Sequence, residues 1–112
     1  MNKAYDLSSF LEMLGGNKDE LKMMIDMFIN LTPPLLTEMK EAADKHDWAA
    51  AGDLAHKLKS SLRLINADKL VEEAIYIEKN GRAGIFIDLL PLKISELSVQ
   101  LLSIVEELKE EF

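Results

Sequence analysis

The sequence predicts an all-α protein: an antiparallel up-down four-helix bundle with a short additional helix at its N-terminus. Apolar residues recur at the three- and four-residue steps of a helical face, and no segment shows the two-residue alternation of a strand. Short connections between such helices make sequential neighbours antiparallel. Breaks in the periodicity are expected at Gly15-Gly16, Pro33-Pro34, Lys45 to Asp47, Asn80 to Gly84 and Pro91.

A single domain is expected over 1–112, with the short helix over about 7–14 and the bundle over about 17–112. A chain of 112 residues has the usual length of one domain, and 48% apolar residues is enough to form a core. The glycine pair 15–16 ends the first helix. No internal repeat or low-complexity segment divides the chain further.

The second helix begins at Asn17, which together with Glu20 resembles a capping box. We expect a kink or break at Pro33, where Thr32 can cap the restarted helix. The methionines of this helix are expected to fill gaps in the core. The predicted buried face consists of Leu21, Met24, Ile25, Phe28, Leu31, Leu35 and Met39.

The third helix is predicted from an Asp47 cap to about Asn66, and the fourth from about Asp68 to Lys79 with a stop at the pair 80–81. The fifth helix begins between 84 and 88 and accepts a proline in or near its first turn. The predicted inward residues are Trp48, Ala51, Leu54, Ala55, Leu58, Leu62 and Ile65, then Leu70, Ala74, Ile75 and Ile77, then Leu97, Leu101, Ile104 and Leu108.

Charge and composition exclude several classes of function. The 13 basic and 20 acidic residues give a net charge of −7, which disfavours nucleic acid and anionic membrane surfaces as partners. The absence of cysteine removes thiolate metal sites and cysteine nucleophiles. Asp6 and Glu12 interrupt any signal peptide, so a cytoplasmic protein is expected. Met1 favours a free-standing protein.

The two histidines differ in their surroundings. His46 lies between helices beside charged residues, so we expect it to be a solvated surface residue. His56 lies in mid-helix on a polar face that points away from the predicted core, and we therefore expect it to be exposed. Gly52 and Ser60, one turn to either side, are small residues that leave the imidazole accessible to another protein.

Local charge favours a phosphorylated imidazole at His56. Between residues 55 and 69, Lys57, Lys59, Arg63 and Lys69 face a single acid, Asp68, in a protein that is acidic overall. Ammonium and guanidinium groups pair with phosphoryl oxygens, and an exposed imidazole is mostly neutral at pH 7 and can attack phosphorus. A solvated helix face with an incidental histidine is the alternative interpretation.

The run from Ala55 to Ser61, AHKLKSS, followed by LINA at 64–67 and by Leu70, resembles the signature of the histidine-containing phosphotransfer domain of phosphorelays. That signature is commonly written A-H-x-L-K-G-S. Phe28, the Thr32-Pro33 step, Asp47 and Glu78 also fall where this family usually has similar residues. The resemblance covers nearly the whole chain, and it implies a four-helix bundle that displays a phosphorylated histidine.

The resemblance implies roles for individual residues. His56 would be the phosphoacceptor, attacking through Nε2, and Lys59 would pair with the phosphoryl group, with Lys57 as a second cation. Ser60 replaces the usual glycine, and its hydroxyl could bond to the imidazole and fix its tautomer. Asn66 replaces a second frequent glycine, at the helix end. The predicted docking face consists of Gly52, Asp53, Ser60 and Arg63, with apolar residues of the neighbouring helix beside it.

The family resemblance implies a carrier without its own ATP site, which exchanges phosphoryl groups with receiver-domain aspartates. No metal or other cofactor is expected on this chain, and Mg²⁺ is expected on the partner receiver domain. The partners implied are response-regulator receiver domains and a hybrid sensor histidine kinase, and a monomer is expected. A kinase dimerisation fragment is the enzymatic rival, but Lys57 stands where that family usually has an acid. A degenerate module that only binds receiver or kinase domains is the other alternative.

Overall fold

The computed structural model describes residues 4–112, and helices are the only regular secondary structure in that range. The all-α class is therefore confirmed. None of the described helices combines the length and the apolarity that crossing a bilayer requires. The helices are α1 (Ser8–Met13), α2 (Lys18–Asp44), α3 (Trp48–Leu64), α4 (Asp68–Ala83) and α5 (Leu90–Glu111).

The four long helices close into a ring, as the predicted bundle requires. Helix α3 packs against α2 and α4, α5 packs against the other sides of the same two helices, and α1 packs on α2. Apolar side chains from all four long helices fill the interior of the ring. The largest fully buried ones are Ile25, Met39, Leu58, Leu62, Ile65, Leu70, Ile77, Leu90, Leu97, Leu101, Ile104 and Leu108.

Two predicted helix caps are confirmed. The side chain of Asn17 accepts a hydrogen bond from the backbone N–H of Glu20 at 3.0 Å, and that of Asp47 accepts one from the N–H of Ala50 at 3.2 Å. Each cap satisfies a backbone donor that the first turn of a helix leaves without a partner. The glycine pair 15–16 follows α1 with φ angles of 66° and 78°, a conformation that other residues rarely adopt.

Of the kink or break expected at Pro33, the break is wrong, because α2 continues through Pro33 and Pro34. A proline has no N–H, so the carbonyls of Ile29 and Asn30 lose their helical partners. Asn30 and Pro34 are exposed, and water can satisfy a carbonyl on that side of the helix. Thr32 is buried inside the continuous helix instead of capping a second one.

The predicted buried face of α2 is confirmed at Leu21, Ile25, Phe28 and Met39 but not along its whole length. Thr32 and Leu36 point into the core, whereas Met24 and Leu31 are exposed. Each of the exposed pair lies one residue from the true stripe, and one residue turns the side chain by about 100°. The expectation of gap-filling methionines holds for Met39, which is fully buried. Met13, Met23, Met24 and Met27 are exposed, and Met1 lies outside the described residues.

The fourth helix is longer than predicted. Asn80 and Gly81 are buried within α4 rather than ending it, and Gly84, in the left-handed conformation, provides the stop. The side-chain amide of Asn80 donates a hydrogen bond to the carbonyl of Tyr76, one turn earlier, so it is satisfied inside the helix. Ile75, which was predicted to point inward, is exposed.

The remaining helix ends differ by a few residues from the predictions. Helix α5 begins at Leu90, later than the predicted range 84–88, although Pro91 does lie in its first turn. Helix α3 ends at Leu64, and Asn66 after it has a φ of 53°. Asparagine tolerates this left-handed conformation better than most residues do. It can therefore replace the glycine that is frequent at this position in the family that the sequence resembles.

Two glycines set the approach of α3 to α4. A Cβ atom added to Gly81 would lie 2.6 Å from the carbonyl oxygen of Trp48, and one added to Gly52 would lie 3.0 Å from the carbonyl oxygen of Glu78. Both contacts are with backbone atoms, which cannot move without moving a helix. The two helices therefore lie as close together as they do only because both positions lack a side chain.

This packing predicts that Gly81→Ala destabilises the protein. Alanine gains about 1 kcal/mol in helix propensity, but overpacking against the carbonyl of Trp48 costs about 1–3 kcal/mol. We expect a net loss of roughly 1 kcal/mol in the free energy of unfolding, measured by urea denaturation. Ala83→Ser, which adds an atom at an exposed site on the same helix, should be nearly neutral. A Gly81→Ala protein as stable as the wild type would contradict the close contact.

Candidate functional site

His56 lies in the middle of α3, and 52% of its side chain is exposed. Its Nδ1 atom is 2.7 Å from Oε2 of Glu78, which lies on α4. An ionised carboxylate only accepts hydrogen bonds, so a neutral His56 donates from Nδ1. The lone pair of the neutral imidazole then resides on Nε2, the nitrogen that this contact leaves free to react.

The second oxygen of Glu78 binds a cation. Nζ of Lys59 donates a hydrogen bond to Oε1 of Glu78 at 2.7 Å, and both side chains are well shielded, with exposed fractions of 16% and 12%. The hydrogen bond from Lys59, and secondarily that from His56, holds the pKa of Glu78 below its ordinary value, against the opposing effect of burial. Glu78 therefore stays ionised and joins His56 to Lys59.

Arg82 is a third donor to the same carboxylate. Its Nη1 atom donates to Oε2 of Glu78 at 2.7 Å, and its Nε atom donates to Oδ1 of Asp53 at 2.8 Å. Asp53 lies on α3 and Arg82 on α4, so this pair also connects the two helices. Oε2 of Glu78 thus receives one hydrogen bond from His56 and one from Arg82.

The predicted site residues are only partly brought together. Asp53, Ser60 and Arg63 are exposed on α3 around His56, as expected for the docking face. Lys57, the predicted second cation, is also exposed. Lys59, in contrast, is turned toward α4, so its charge is already neutralised in the free protein. The hypothesis that the Ser60 hydroxyl fixes the imidazole tautomer is wrong, because Glu78 holds Nδ1 instead.

Gly52 is not part of an accessible surface, which corrects its assignment to the docking face. It is buried beneath α4, and a Cβ atom there would also lie 3.2 Å from Cγ of Arg82. The glycine gives α4 room to approach, rather than opening a path to the imidazole. Its effect on His56 is indirect, since the approach of α4 brings Glu78 and Arg82 within hydrogen-bonding distance of α3.

An apolar groove borders the histidine-bearing helix on its other side, where α2 meets α3. Large exposed side chains of α2, among them Met27 and Leu31, line this α2–α3 groove. Ser61 and Leu64 line it from α3, five and eight residues after His56. The groove consists of Phe10, Met24, Met27, Phe28, Leu31, Thr32, Leu35, Ser61, Leu64 and Ile65.

Sequence reasoning missed Arg82 and the bridging position of Glu78. The available signal was the pair formed by Glu78 and Arg82 at i and i+4, which lie on one face of a helix. That spacing alone does not indicate that the pair faces a histidine 22 residues earlier in the chain. Apolar residues of the neighbouring helix were expected beside the docking face, but the methionines of α2 were assigned to the core, so their place in the groove was not predicted.

The other histidine has a simpler setting. His46 is exposed in the turn before α3, with a φ of 56°, and its ring stacks on Trp48 with a centroid distance of 5.6 Å. Within residues 4–112, no group of three or more histidine, aspartate or glutamate side chains is arranged to hold a metal ion.

Comparison with known proteins gives one family match and two curated relatives. The family model described as "Hpt domain" matches residues 23–111. Virulence sensor protein BvgS of Bordetella bronchiseptica is 22% identical over 83 residues, and BvgS of Bordetella parapertussis shows the same identity and length. These alignments cover 72% of this chain, which spans only 7% of the length of each relative. No solved structure matches the chain significantly.

The lowered pKa of Glu78 predicts a pH-dependent contribution to stability. A carboxyl group that is more acidic in the folded state stabilises the fold above the unfolded pKa, and this contribution is lost as the pH falls through the folded pKa. Wild-type stability should therefore fall below about pH 4.3, whereas Glu78→Gln should be less stable at pH 7 and respond less to acid.

The measurement is the free energy of unfolding in urea at several pH values. Glu72→Gln, at an exposed position on the same helix without an ion pair among the described residues, is the control and should follow the wild type. Equal acid sensitivity of the Glu78→Gln protein and the wild type would show that Glu78 makes no such contribution.

Proposed function

Because the chain belongs to the Hpt domain family, we propose that it is a phosphorelay carrier with His56 as its phosphoacceptor. It accepts a phosphoryl group from the aspartyl phosphate of a receiver domain and passes it to the aspartate of another. Hpt domains act as phosphotransfer carriers and in general have no ATP site of their own. The two-component context follows from the family, whereas the residue and the partners are our proposal.

The observation that carries this proposal is the orientation of the His56 ring. The contact of Nδ1 with Glu78 leaves Nε2 with its lone pair, on a side chain that is half exposed. Nε2 attacks phosphorus in line, the N–P bond forms, and the P–O bond to the aspartate breaks, with its electron pair leaving on the carboxylate. No proton has to leave Nε2, so the chain needs no separate general base.

The product of this attack is a positively charged ring that bears an anionic phosphoryl group. Glu78 stays hydrogen-bonded to Nδ1–H and balances the charge on the ring. Lys59 lies one turn from His56 and can exchange part of its contact with Glu78 for a phosphoryl oxygen. Lys57, exposed beside the histidine, is a second candidate cation. We assign Mg²⁺ to the partner receiver domain, which holds the aspartate.

The partner binds over the exposed part of α3 and the α2–α3 groove. Asp53, Ser60 and Arg63 provide polar contacts around His56, and the methionines of α2 provide adaptable apolar contacts. A carrier that visits successive partners through one surface needs a small, transient interface and remains monomeric. These partners are cytoplasmic receiver domains, including one that belongs to a hybrid sensor histidine kinase.

The acceptor residue is tested by phosphoryl transfer from purified, pre-phosphorylated receiver domains. The wild type should acquire acid-labile label, and His56→Gln should lose it entirely, because the amide cannot form the N–P bond. His46→Gln removes the other histidine and should be labelled like the wild type. Label that persists on the His56→Gln protein would assign the chemistry to another residue.

The same assay separates the carrier from a degenerate binding module. If receivers bind the folded wild-type protein but never label it, the carrier proposal is wrong and the binding module is correct. Partner affinity should then also survive His56→Gln.

The docking surface is tested by placing a charge in the groove. In phosphoryl transfer from a cognate phosphorylated receiver domain, Met27→Glu should raise the KM for that domain by about tenfold, because desolvating the new carboxylate opposes association. Val99→Glu places the same charge on an exposed apolar residue of α5, outside the groove, and should leave KM unchanged. Equal effects of the two substitutions would reject the α2–α3 groove as the docking site.

A further inference from the structure

We propose that Arg82 is a positioning residue for phosphoryl uptake, acting on His56 through Glu78. This inference rests on the proposed function, since it concerns the reactivity of the proposed acceptor. No hydrogen bond joins Arg82 to the imidazole in the part of the chain that the structure describes. It binds Oε2 of Glu78, the oxygen that accepts from Nδ1 of His56, rather than Oε1, which accepts from Lys59.

The guanidinium group is itself held in one orientation. Asp53 accepts a hydrogen bond from Nε at 2.8 Å, and Glu78 accepts one from Nη1 at 2.7 Å. Both acceptors therefore bind the same planar guanidinium group. A carboxylate with Lys59 on one oxygen and Arg82 on the other cannot rotate without breaking one of these bonds. The direction of Oε2, and with it the plane of the His56 ring, is fixed by Arg82.

A purely structural role explains Arg82 poorly. Its side chain is 47% exposed and that of Asp53 is 64% exposed, so the ion pair between them contributes little to stability, and the better shielded pair is the one with Glu78, which is 12% exposed. The core of the bundle is built without either residue. The geometry instead places both around the one carboxylate that holds the histidine.

The position of Gly52 supports this assignment. Cγ of Arg82 would lie 3.2 Å from a Cβ atom at residue 52, so the stem of Arg82 crosses α3 directly above the glycine. That path leads to Asp53 on the histidine-bearing helix. The missing side chain at residue 52 therefore allows both the close approach of α4 and the crossing of Arg82.

Arg82 also keeps Oε2 of Glu78 in place for the proton on Nδ1. Oε2 accepts from Nη1 of Arg82 and from Nδ1 of a neutral His56 ring, and a ring that donates from Nδ1 keeps its lone pair on Nε2. Arg82 thus favours the tautomer with the proton on Nδ1, which is the reactive form.

The test uses a small donor, so that receiver docking has no influence on the rate. Phosphoramidate transfers its phosphoryl group to Nε2 as the N–P bond to the imidazole forms, and the donor P–N bond breaks with its electron pair leaving on ammonia. The rate of phosphohistidine formation is one readout. The other is the proton distribution on the His56 ring, measured by ¹⁵N NMR, which a merely structural residue would not change.

Four variants of the full chain separate charge from geometry. Arg82→Gln should slow labelling about tenfold and reduce the fraction of rings with the proton on Nδ1 only. Arg82→Lys keeps the positive charge but loses the planar pair of N–H donors. Its labelling rate should lie between those of the wild type and Arg82→Gln. Asp53→Asn, at an exposed site, should slow labelling by a smaller factor. Lys79→Gln removes one positive charge beside Glu78, from a lysine with no ion pair in the described part of the chain, and should match the wild type.

The possible failures can be told apart. A folded wild-type protein that is never labelled on His56 would overturn the proposed function itself. A labelled wild type with Arg82→Gln and Asp53→Asn proteins that match it in both readouts would overturn only the role of Arg82. If the Arg82→Gln protein fails to fold, the Asp53→Asn protein provides the test. A wild-type labelling rate and a wild-type proton distribution on its His56 ring would then reject the proposal.

Discussion

The close contact between α3 and α4 is the constraint on which the site depends. Gly52 and Gly81 allow the two backbones to meet, and the carbonyl oxygens that a Cβ atom would strike belong to Trp48 and Glu78. Glu78 reaches His56 only because its helix lies this close. A pair of glycines inside helices costs about 2 kcal/mol in helix propensity, and the bundle offsets that cost with its apolar core. Packing and chemistry are thus coupled through the same few atoms.

Charge at the site is already balanced in the free protein, which bears on the proposed carrier function. Glu78 pairs with Lys59 and, together with Asp53, with Arg82, so neither cation is unpaired in the free protein. Transfer in both directions requires that the phosphoryl group be stabilised without being trapped. A lysine that must share its contact with an existing carboxylate binds an incoming anion less tightly than an unpaired lysine does. The pairing of Lys59 is therefore consistent with a carrier.

The sequence predicted the elements well and their mutual orientation less well. Periodicity and caps such as Asn17 and Asp47 are local signals, and they located the helices to within a few residues. The exposure of Met24 and Leu31 was not predicted, because both fit the apolar stripe of α2 and only the neighbouring helices decide which residues are covered. The burial of Thr32 was not predicted because threonine also suits a helix cap. Gly52 was assigned to the surface for a similar reason. A helical projection of α3 shows a polar face there, but it cannot show that α4 covers part of that face.

The same geometry makes access to His56 unequal on its two sides. Toward the N-terminal end of α3, Arg82 crosses above Gly52 to reach Asp53, so side chains of this chain already occupy the space. Toward the C-terminal end, Ser60 is small and exposed, and the α2–α3 groove begins at Ser61. A partner that must bring a phosphoryl group in line with Nε2 meets less obstruction on this second side. The usual glycine of the family lies at the position of Ser60, on the open side, where serine adds a hydroxyl group to an exposed position.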